Sequence, residues 1–547
     1  MTCPPAAVSN PKLTGTTHNV FGIQVGVSIN FFVRKKNGQR PGKIFYARTD
    51  EFWRKEQKYH FLDTHEDLSK LVWKQVKPGK NFNWLTDGMS KVFDSFAPLG
   101  TKETKATEVT EALALFKTYS RGVTTSRDAW ARSFQRSVVA DNMKGTIAFY
   151  NEQVIKWTHR GDKSIPVDDF VSCESAKVSW SRDLKADLQR ARSATYTEDK
   201  IRDSLYRPFT KSYLFFDRVM NEEVYGFPSF IPTPETEREN LTICTPGLGN
   251  RQAFGCLMTD KIPALDLAFE KAQCSPFYTY AEDGSDRREN ITDWALEQFR
   301  HRYPPHSHGA PPLTKWDIFY YVYAILHHPQ YRERYAANLR RELPRIPFVG
   351  EVGRAVPSAP SSERIKPGAV NTPLPATDTA LFHAFVAAGK QLTDLHIGHE
   401  QAKEYPLARR ENPNAQLNWR VEKMKLIKPG RTSVPASPDR PGPKEKFGLA
   451  GTLALPAPTA TIIYNDFLTL EGIPPETFEH RLGNRSALEW VIDQYQASTD
   501  KRSGITNDPN RPDDPQYIVR LIAQIITVSL VTVKIVNTLP PLPQSPV

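Results

Sequence analysis

At 547 residues and 39% hydrophobic composition, the chain is long enough for several domains with sizeable buried cores. Its 72 basic and 61 acidic residues leave a formal charge of +11 and a pI near 9.2, which favours a polyanionic partner over a cationic one. Five widely spaced cysteines without a C-x-x-C pair exclude a disulfide-dense secreted module and point to a reduced, cytoplasmic setting.

The first ten residues, MTCPPAAVSN, carry neither a basic stretch nor an apolar one, so no secretory signal is expected. From Phe21 to Val33 the odd positions are apolar and the even ones, Phe32 excepted, are Gly, Gln, Ser or Asn. Period two over that length predicts a strand. Lys36-Asn37-Gly38 then supplies a hairpin turn and Lys43 to Arg48 the returning strand. A two-stranded unit with one apolar face is marginal alone, so this hairpin is expected to complete a larger sheet. Asp50 to Lys117 is mostly polar and reads as helix and loop.

Tyr119 to Phe134 crowds Arg121, Arg127 and Arg132, with Arg136 nearby, around Trp130, and Gly122 suits a tight turn. Basic residues interleaved with an aromatic suit nucleic acid, although arginines packed around a buried tryptophan give the same pattern. Tyr206 to Asp217 sets Phe209 and further aromatics beside Arg207 and Lys211, and reads either as an extended binding segment or as an aromatic core strand. Short apolar runs between Pro and Gly loops predict β structure from Val224 to Ala281. Pro246 to Asn250 lacks the third glycine and following helix of a dinucleotide loop. Asn290 to Tyr303 predicts a short amphipathic helix closed by Pro304 and Pro305.

Thr314 and Asp317 predict a capped helix start, followed by an apolar face of Ile318, Tyr321, Val322 and Ile325. Pro329 breaks the pattern, and Tyr331, Tyr335, Leu339 and Leu343 predict a second helix whose other face carries Arg332, Arg334, Arg340 and Arg341. That arginine face suits either a phosphate backbone or bulk water. Gly350 to Thr377 and Lys428 to Pro458 are proline-rich and predict exposed insertions, with a helix from Leu381 to His396 between them. Ser486 and Glu489 predict a capping box before ALEWVIDQY. The apolar segment Tyr517 to Val536 is long enough to cross a bilayer, but Arg520, Gln524 and Lys534 interrupt it, so burial in protein is expected and no membrane partner.

The chain has no phosphate-loop, H-E-x-x-H or G-x-S-x-G motif, and thus no catalytic constellation of those kinds. The pairs His306/His308, His327/His328 and His396/His399 match no metal spacing and are expected in turns or at the surface.

Several separated blocks carry a family resemblance. GIPPETFEHRLGNRSALEWVIDQYQ, DKRSGITNDPNRPDDPQYIVRLIAQIITVSLVTVKIVNTLP, KWDIFYYVYAILHHPQYRERYAANLRRELPRIPF and YRPFTKSYLFFDR resemble the C-terminal specificity region of type ISP restriction-modification enzymes and related N6-adenine DNA methyltransferases. GVTTSRDAW resembles the start of their target-recognition part, and THNVFGIQVGVSINFFVRKK the last strands of their methyltransferase sheet. The resemblance implies a multidomain α+β fold, with a partial methyltransferase sheet ending in a β-hairpin, a mixed β/helical DNA target-recognition domain and a helical C-terminal block.

The implied boundaries are residues 1–60 for the methyltransferase strands, 61–118 for connecting helices and 119–348 for the first part of target recognition. An insertion at 349–380 and a specificity block at 381–547, itself interrupted at 428–458, complete the chain. The Asn-Pro-Pro-aromatic motif that such methyltransferases use on a flipped adenine is missing, since Asn10-Pro11 and Asn412-Pro413 continue with Lys12 and Asn414.

The implied function is therefore sequence-specific binding of double-stranded DNA within a type ISP system acting in phage defence. The alternatives are the back half of a split N6-adenine methyltransferase, active only with a partner, and a truncated relic or interaction scaffold. Candidate DNA contacts, inferred from charge and placement, are Arg127, Trp130, Arg207, Phe209, Lys211, Arg332, Arg334, Arg340 and Arg341. No catalytic residue, metal or cofactor is expected in this chain. S-adenosylmethionine would enter only if a partner chain supplies the missing methyltransferase half, and a methyltransferase, helicase or nuclease chain is the other partner considered.

Overall fold

A computed structural model describes residues 28–33, 42–50, 53–79, 84–86, 88–106, 113–171, 174, 176–250, 252–305, 311–350, 376–428 and 459–542. The fold is a mixed α+β architecture with several small sheets. Six helices carry much of its packing: α1 (Arg136–Thr158), α2 (Asp293–Arg302), α3 (Lys315–His327), α4 (Ala376–Ile397), α5 (Ala487–Gln494) and α6 (Tyr517–Asn537).

Helix α3 shows how local sequence and packing combine. Thr314 accepts a hydrogen bond from the Asp317 amide, and the Asp317 carboxylate accepts one from the Thr314 amide, forming the expected capping box. The sequence predicts one buried face, yet α3 is buried on nearly every side. The reason is tertiary, because α4 packs directly against it. A Cβ at Gly389 would fall 1.9 Å from the Tyr320 carbonyl oxygen, so only glycine allows that approach. The tyrosine hydroxyls in this core are used internally, Tyr321 donating to Pro347 O at 2.7 Å.

The second expected helix is shorter than its pattern suggests. After Pro329–Arg334 the chain breaks at Tyr335 and resumes only for Ala336–Leu339. Two tertiary contacts accompany the break. Asn338 accepts from the Ser90 amide at 2.9 Å, and the Tyr335 ring packs edge-on to Phe96 at 5.2 Å. The expected helical hairpin is thus replaced by an α3/α4 pair.

Two four-stranded sheets form the β-rich middle of the chain. One has the order Ile262–Pro263, Ile201–Arg207, Thr210–Phe215, Arg132–Ser133, with the first pair parallel. Pro208 and Phe209 make its central turn, and Phe209 takes a positive φ of 56°. The other is antiparallel, ordered Ser120–Arg121, Gln273–Pro276, Thr242–Thr245, Leu257–Thr259, and in it Cys244 faces Cys274 with 3.8 Å between the sulfurs. Gly122 serves close approach, since a Cβ there would meet Ala264 O at 2.5 Å; the tight turn read from sequence is not its reason.

The third four-stranded sheet, antiparallel and ordered Ala408–Glu411, Leu468–Ile473, Ala460–Ile463, Lys425–Ile427, contributes to one core with α5 and α6. Helix α6 is long and apolar enough to cross a membrane, but Leu521, Ile522, Ile525, Ile526 and Val528 are buried in that core. Two of its polar positions have protein partners: Arg520 pairs with Asp514, and Gln524 donates to Glu400 O. Each of the two largest cores draws on residues from both sides of 349–380.

The strand expected from Phe21 to Val33 lies mostly outside the described residues. The part that is described, 28–33, is exposed and not in a strand. Its expected returning strand does exist, as Ile44–Tyr46, but it pairs antiparallel with Lys74–Val76.

Candidate nucleic-acid interface

The structure separates the sequence-predicted arginines by burial and partners. Arg127 is 2% exposed and its guanidinium is committed inward, to Met220 O at 2.5 Å, Ser181 Oγ at 2.6 Å and Ser179 O at 3.3 Å, with Glu222 at 3.8 Å. Burial lowers it to about 10 despite Glu222, so it stays charged at neutral pH. Trp130 is buried in the core formed with α1. Neither side chain reaches the surface. Of the two patterns this segment allowed, arginine around a buried tryptophan is the one that forms.

Phe209 is also buried, at the tip of its hairpin, where its ring meets His399, His480 and His396 edge-on at 5.1, 5.8 and 5.9 Å between centroids. These histidines, with His327 and His328, are buried rather than exposed, which corrects the turn-or-surface expectation for His327/His328 and His396/His399. His306 and His308 lie outside the described residues. His396 bonds the Tyr323 hydroxyl through Nδ1 at 2.6 Å and the Thr532 hydroxyl through Nε2 at 2.9 Å, and His327 Nδ1 lies 3.3 Å from Cys256 Sγ. Burial holds all four rings of the cluster below the usual histidine range, His399 at about 4 and His480 at about 3. They are neutral packing residues that lock the hairpin tip onto α3 and α4. No group of three or more potential metal ligands occurs among the described residues.

Lys211 is half-buried and pairs with Glu400 at 2.8 Å, and Glu400 also accepts from the Tyr517 hydroxyl at 2.7 Å. Burial pushes the Glu400 carboxyl up, but Lys211, His399 and Tyr517 outweigh it and hold it at about 2. Arg332 turns inward as well, donating to Leu326 O at 2.6 Å and approaching Cys256 Sγ at 3.5 Å.

The remaining predicted cations are half-buried or exposed. Arg207 is half-buried, stacks its guanidinium 4.0 Å from the Tyr206 ring centroid and donates to Tyr206 O. Arg334 is half-buried, whereas Arg340 and Arg341 are exposed, Arg341 with one long bond of 3.4 Å to Ala337 O. Four of the nine candidates therefore retain outward reach: Arg207, Arg334, Arg340 and Arg341.

A second basic surface was missed in the sequence. Lys403, Arg409, Lys423 and Lys425 are exposed on or beside the third sheet. The signal was the alternation Lys423-Met424-Lys425-Leu426, basic outside and apolar inside, which the neighbouring proline-rich stretch obscured.

The scaffold is thus a mixed α+β fold that carries exposed basic groups on and beside its third sheet. The Type ISP C-terminal specificity domain model matches residues 114–521, and the chain belongs to that family. Three solved structures are similar. A nuclease-deletion mutant of the Type ISP restriction-modification enzyme LlaGI with a DNA substrate mimic has TM-score 0.66 and 28% identity over 90% of this chain. The DrdV–DNA complex has TM-score 0.75 and 31% identity over 99%. The ATP-dependent Type ISP enzyme LlaBIII bound to DNA has TM-score 0.74 and 25% identity over 100%. The chain spans only 32%, 47% and 30% of those three chains. No curated protein matches it significantly.

Proposed function

We propose that this chain is the sequence-specific, double-stranded-DNA-binding module of a type ISP restriction-modification system. The observation that carries the reading is the family match over residues 114–521, together with a fold similar to three proteins that were solved with DNA or a DNA mimic. In this reading Arg207, Arg334, Arg340 and Arg341 contact phosphates or base edges, and the third sheet adds Lys403, Arg409, Lys423 and Lys425. Arg127, Trp130, Phe209, Lys211 and Arg332 act behind them by fixing the loops and the hairpin.

Binding of the purified chain to duplex DNA across a salt series tests the proposal. Each phosphate neutralised contributes about −0.9 to the slope of log affinity against log salt, so a surface of this size predicts a slope of about −4 or steeper. A slope near zero, or equal affinity for all sequences at moderate salt, would sink it.

A second reading rests on the exposed apolar residues Ile29, Phe31, Phe32, Val33, Phe45, Leu62, Leu68 and Val72 near the start of the chain. They suit a surface covered by a methyltransferase portion, whether a preceding domain or a separate chain, with residues 1–60 completing its sheet. S-adenosylmethionine would then be held by that portion.

A further inference from the structure

A cleft of about 570 Å³ opens beside the segment that begins the specificity region, between Ser120, the Tyr225–Gly226 turn and the loop from Thr279 to Asp286. That size lies within the roughly 300–1,000 Å³ range of small-molecule sites. Its walls include the half-buried rings of Tyr119 and Tyr225. Lys105 Nζ lies 5.0 Å from the Tyr119 centroid, and the Arg121 guanidinium, at the margin, 5.8 Å from that of Tyr225.

Both cations are exposed, and neither has a carboxylate partner among the described residues. Two other solvent-accessible arginines are paired, Arg136 with Glu198 and Arg218 with Glu282. The carboxylate in the lining, Asp286, is neutralised by Arg288 at 2.6 Å.

The backbone is also unusual here. Tyr225 holds a φ of 47°, a left-handed conformation that aromatic residues rarely adopt and that recurs at ligand-binding sites. The Gly226 amide donates to Ser120 Oγ at 2.8 Å, and a Cβ at Gly226 would press to 3.0 Å from Phe230 and Ser120. Glycine at that position keeps the cleft floor clear.

Aromatic faces beside uncompensated cations match one ligand chemistry well, a planar base carrying an anionic phosphate. We infer that this cleft binds a single unstacked deoxynucleotide, its base against the Tyr119 and Tyr225 rings and its phosphate drawn by Lys105 and Arg121. The choice of ligand rests on the DNA-binding reading above. Stacking accepts any base, so the cleft would hold a displaced nucleotide without reading its identity.

The test uses the full chain with dAMP and TMP as probes, followed by saturation-transfer NMR, and with a duplex carrying one bulged 2-aminopurine beside the same duplex fully paired. Saturable mononucleotide binding, tighter binding of the bulged duplex and quenching of its fluorescence are expected. Lys105→Glu, a surface change, should weaken mononucleotide binding about tenfold, as should Tyr225→Gly, which removes the ring while accommodating the positive φ. Absence of saturable binding, or wild-type affinity in both variants, overturns the inference. If the paired duplex binds but the bulge adds nothing and mononucleotides do not bind, the cleft assignment falls and the DNA-binding reading stands. If mononucleotides bind and no duplex does, the converse holds.

Discussion

Arg127 and Arg341 both lie in aromatic, arginine-rich segments, and charge spacing alone does not distinguish them. Burial does. The Arg127 guanidinium donates to two carbonyls and a serine hydroxyl, whereas Arg341 makes one long bond at the surface. Arg127→Ala should cost about 3 kcal/mol or more in urea unfolding, because it strands Glu222 and those acceptors in the interior. Arg127→Lys should rescue little, since an ammonium cannot reproduce the planar fork. Arg341→Ala should leave stability within about 0.5 kcal/mol and lower the salt slope of duplex binding by about one phosphate. If Arg127→Ala folds with wild-type stability and loses only DNA affinity, the division drawn here between supporting and contacting arginines is wrong. The sequence offered one hint, the run Thr125 to Trp130, whose Thr125 and Asp128 bond each other and so close a local turn that fixes Arg127 inward.

Elements whose specification is local were legible in advance. Both capping boxes, Thr314 with Asp317 and Ser486 with Glu489, formed as their spacing predicts, because each joins residues one helical turn apart. The histidine cluster was not legible, since His327, His396, His399 and His480 meet only after elements distant in sequence have packed around Phe209. The cluster makes stability depend on pH with a definite sign. Each ring is neutral when folded and binds a proton near pH 6.5 when unfolded, so its contribution is complete above about 6.5 and is lost as pH falls toward its depressed folded value. For His399 that window runs from about 6.5 down to about 4. Glu400 acts the same way lower down, below the ordinary carboxylate range toward about 2. Unfolding free energies measured between pH 7.5 and 5 should therefore fall by up to about 1.4 kcal/mol per pH unit for each buried histidine. His480→Phe should flatten that profile by one histidine's share. It should not destabilise the protein at pH 7.5, because neither His480 ring nitrogen has a hydrogen-bond partner among the described residues. A pH profile unchanged in His480→Phe would show that the cluster titrates otherwise.

On the scale of the whole molecule, the exposed apolar residues are unevenly distributed. Past residue 114 most large hydrophobics enter the cores, whereas in the first hundred residues Phe32 is 83% and Val72 93% exposed, with Phe31, Val33, Phe45 and Leu62 also open. Isolated exposed hydrophobics need no explanation, but a concentration of them marks an interface. The three similar chains are two to three times as long as the part this chain spans. Composition did not reveal this, because a 39% hydrophobic chain looks the same whether its apolar residues are covered or not. The expected behaviour of the chain alone is reversible self-association through that surface, seen as concentration-dependent sedimentation. The double variant Phe32→Lys/Val72→Lys should sediment as a monomer at concentrations where the wild type does not. Its affinity for fully paired duplex should match that of the wild type, since the contacts proposed for paired DNA lie beyond residue 200 and those proposed for an unstacked nucleotide are Lys105, Tyr119, Arg121 and Tyr225, not the substituted residues. A monomeric wild-type chain would overturn the self-association expectation, and a double variant that loses DNA affinity together with self-association would mean that these residues belong to the DNA-binding face itself.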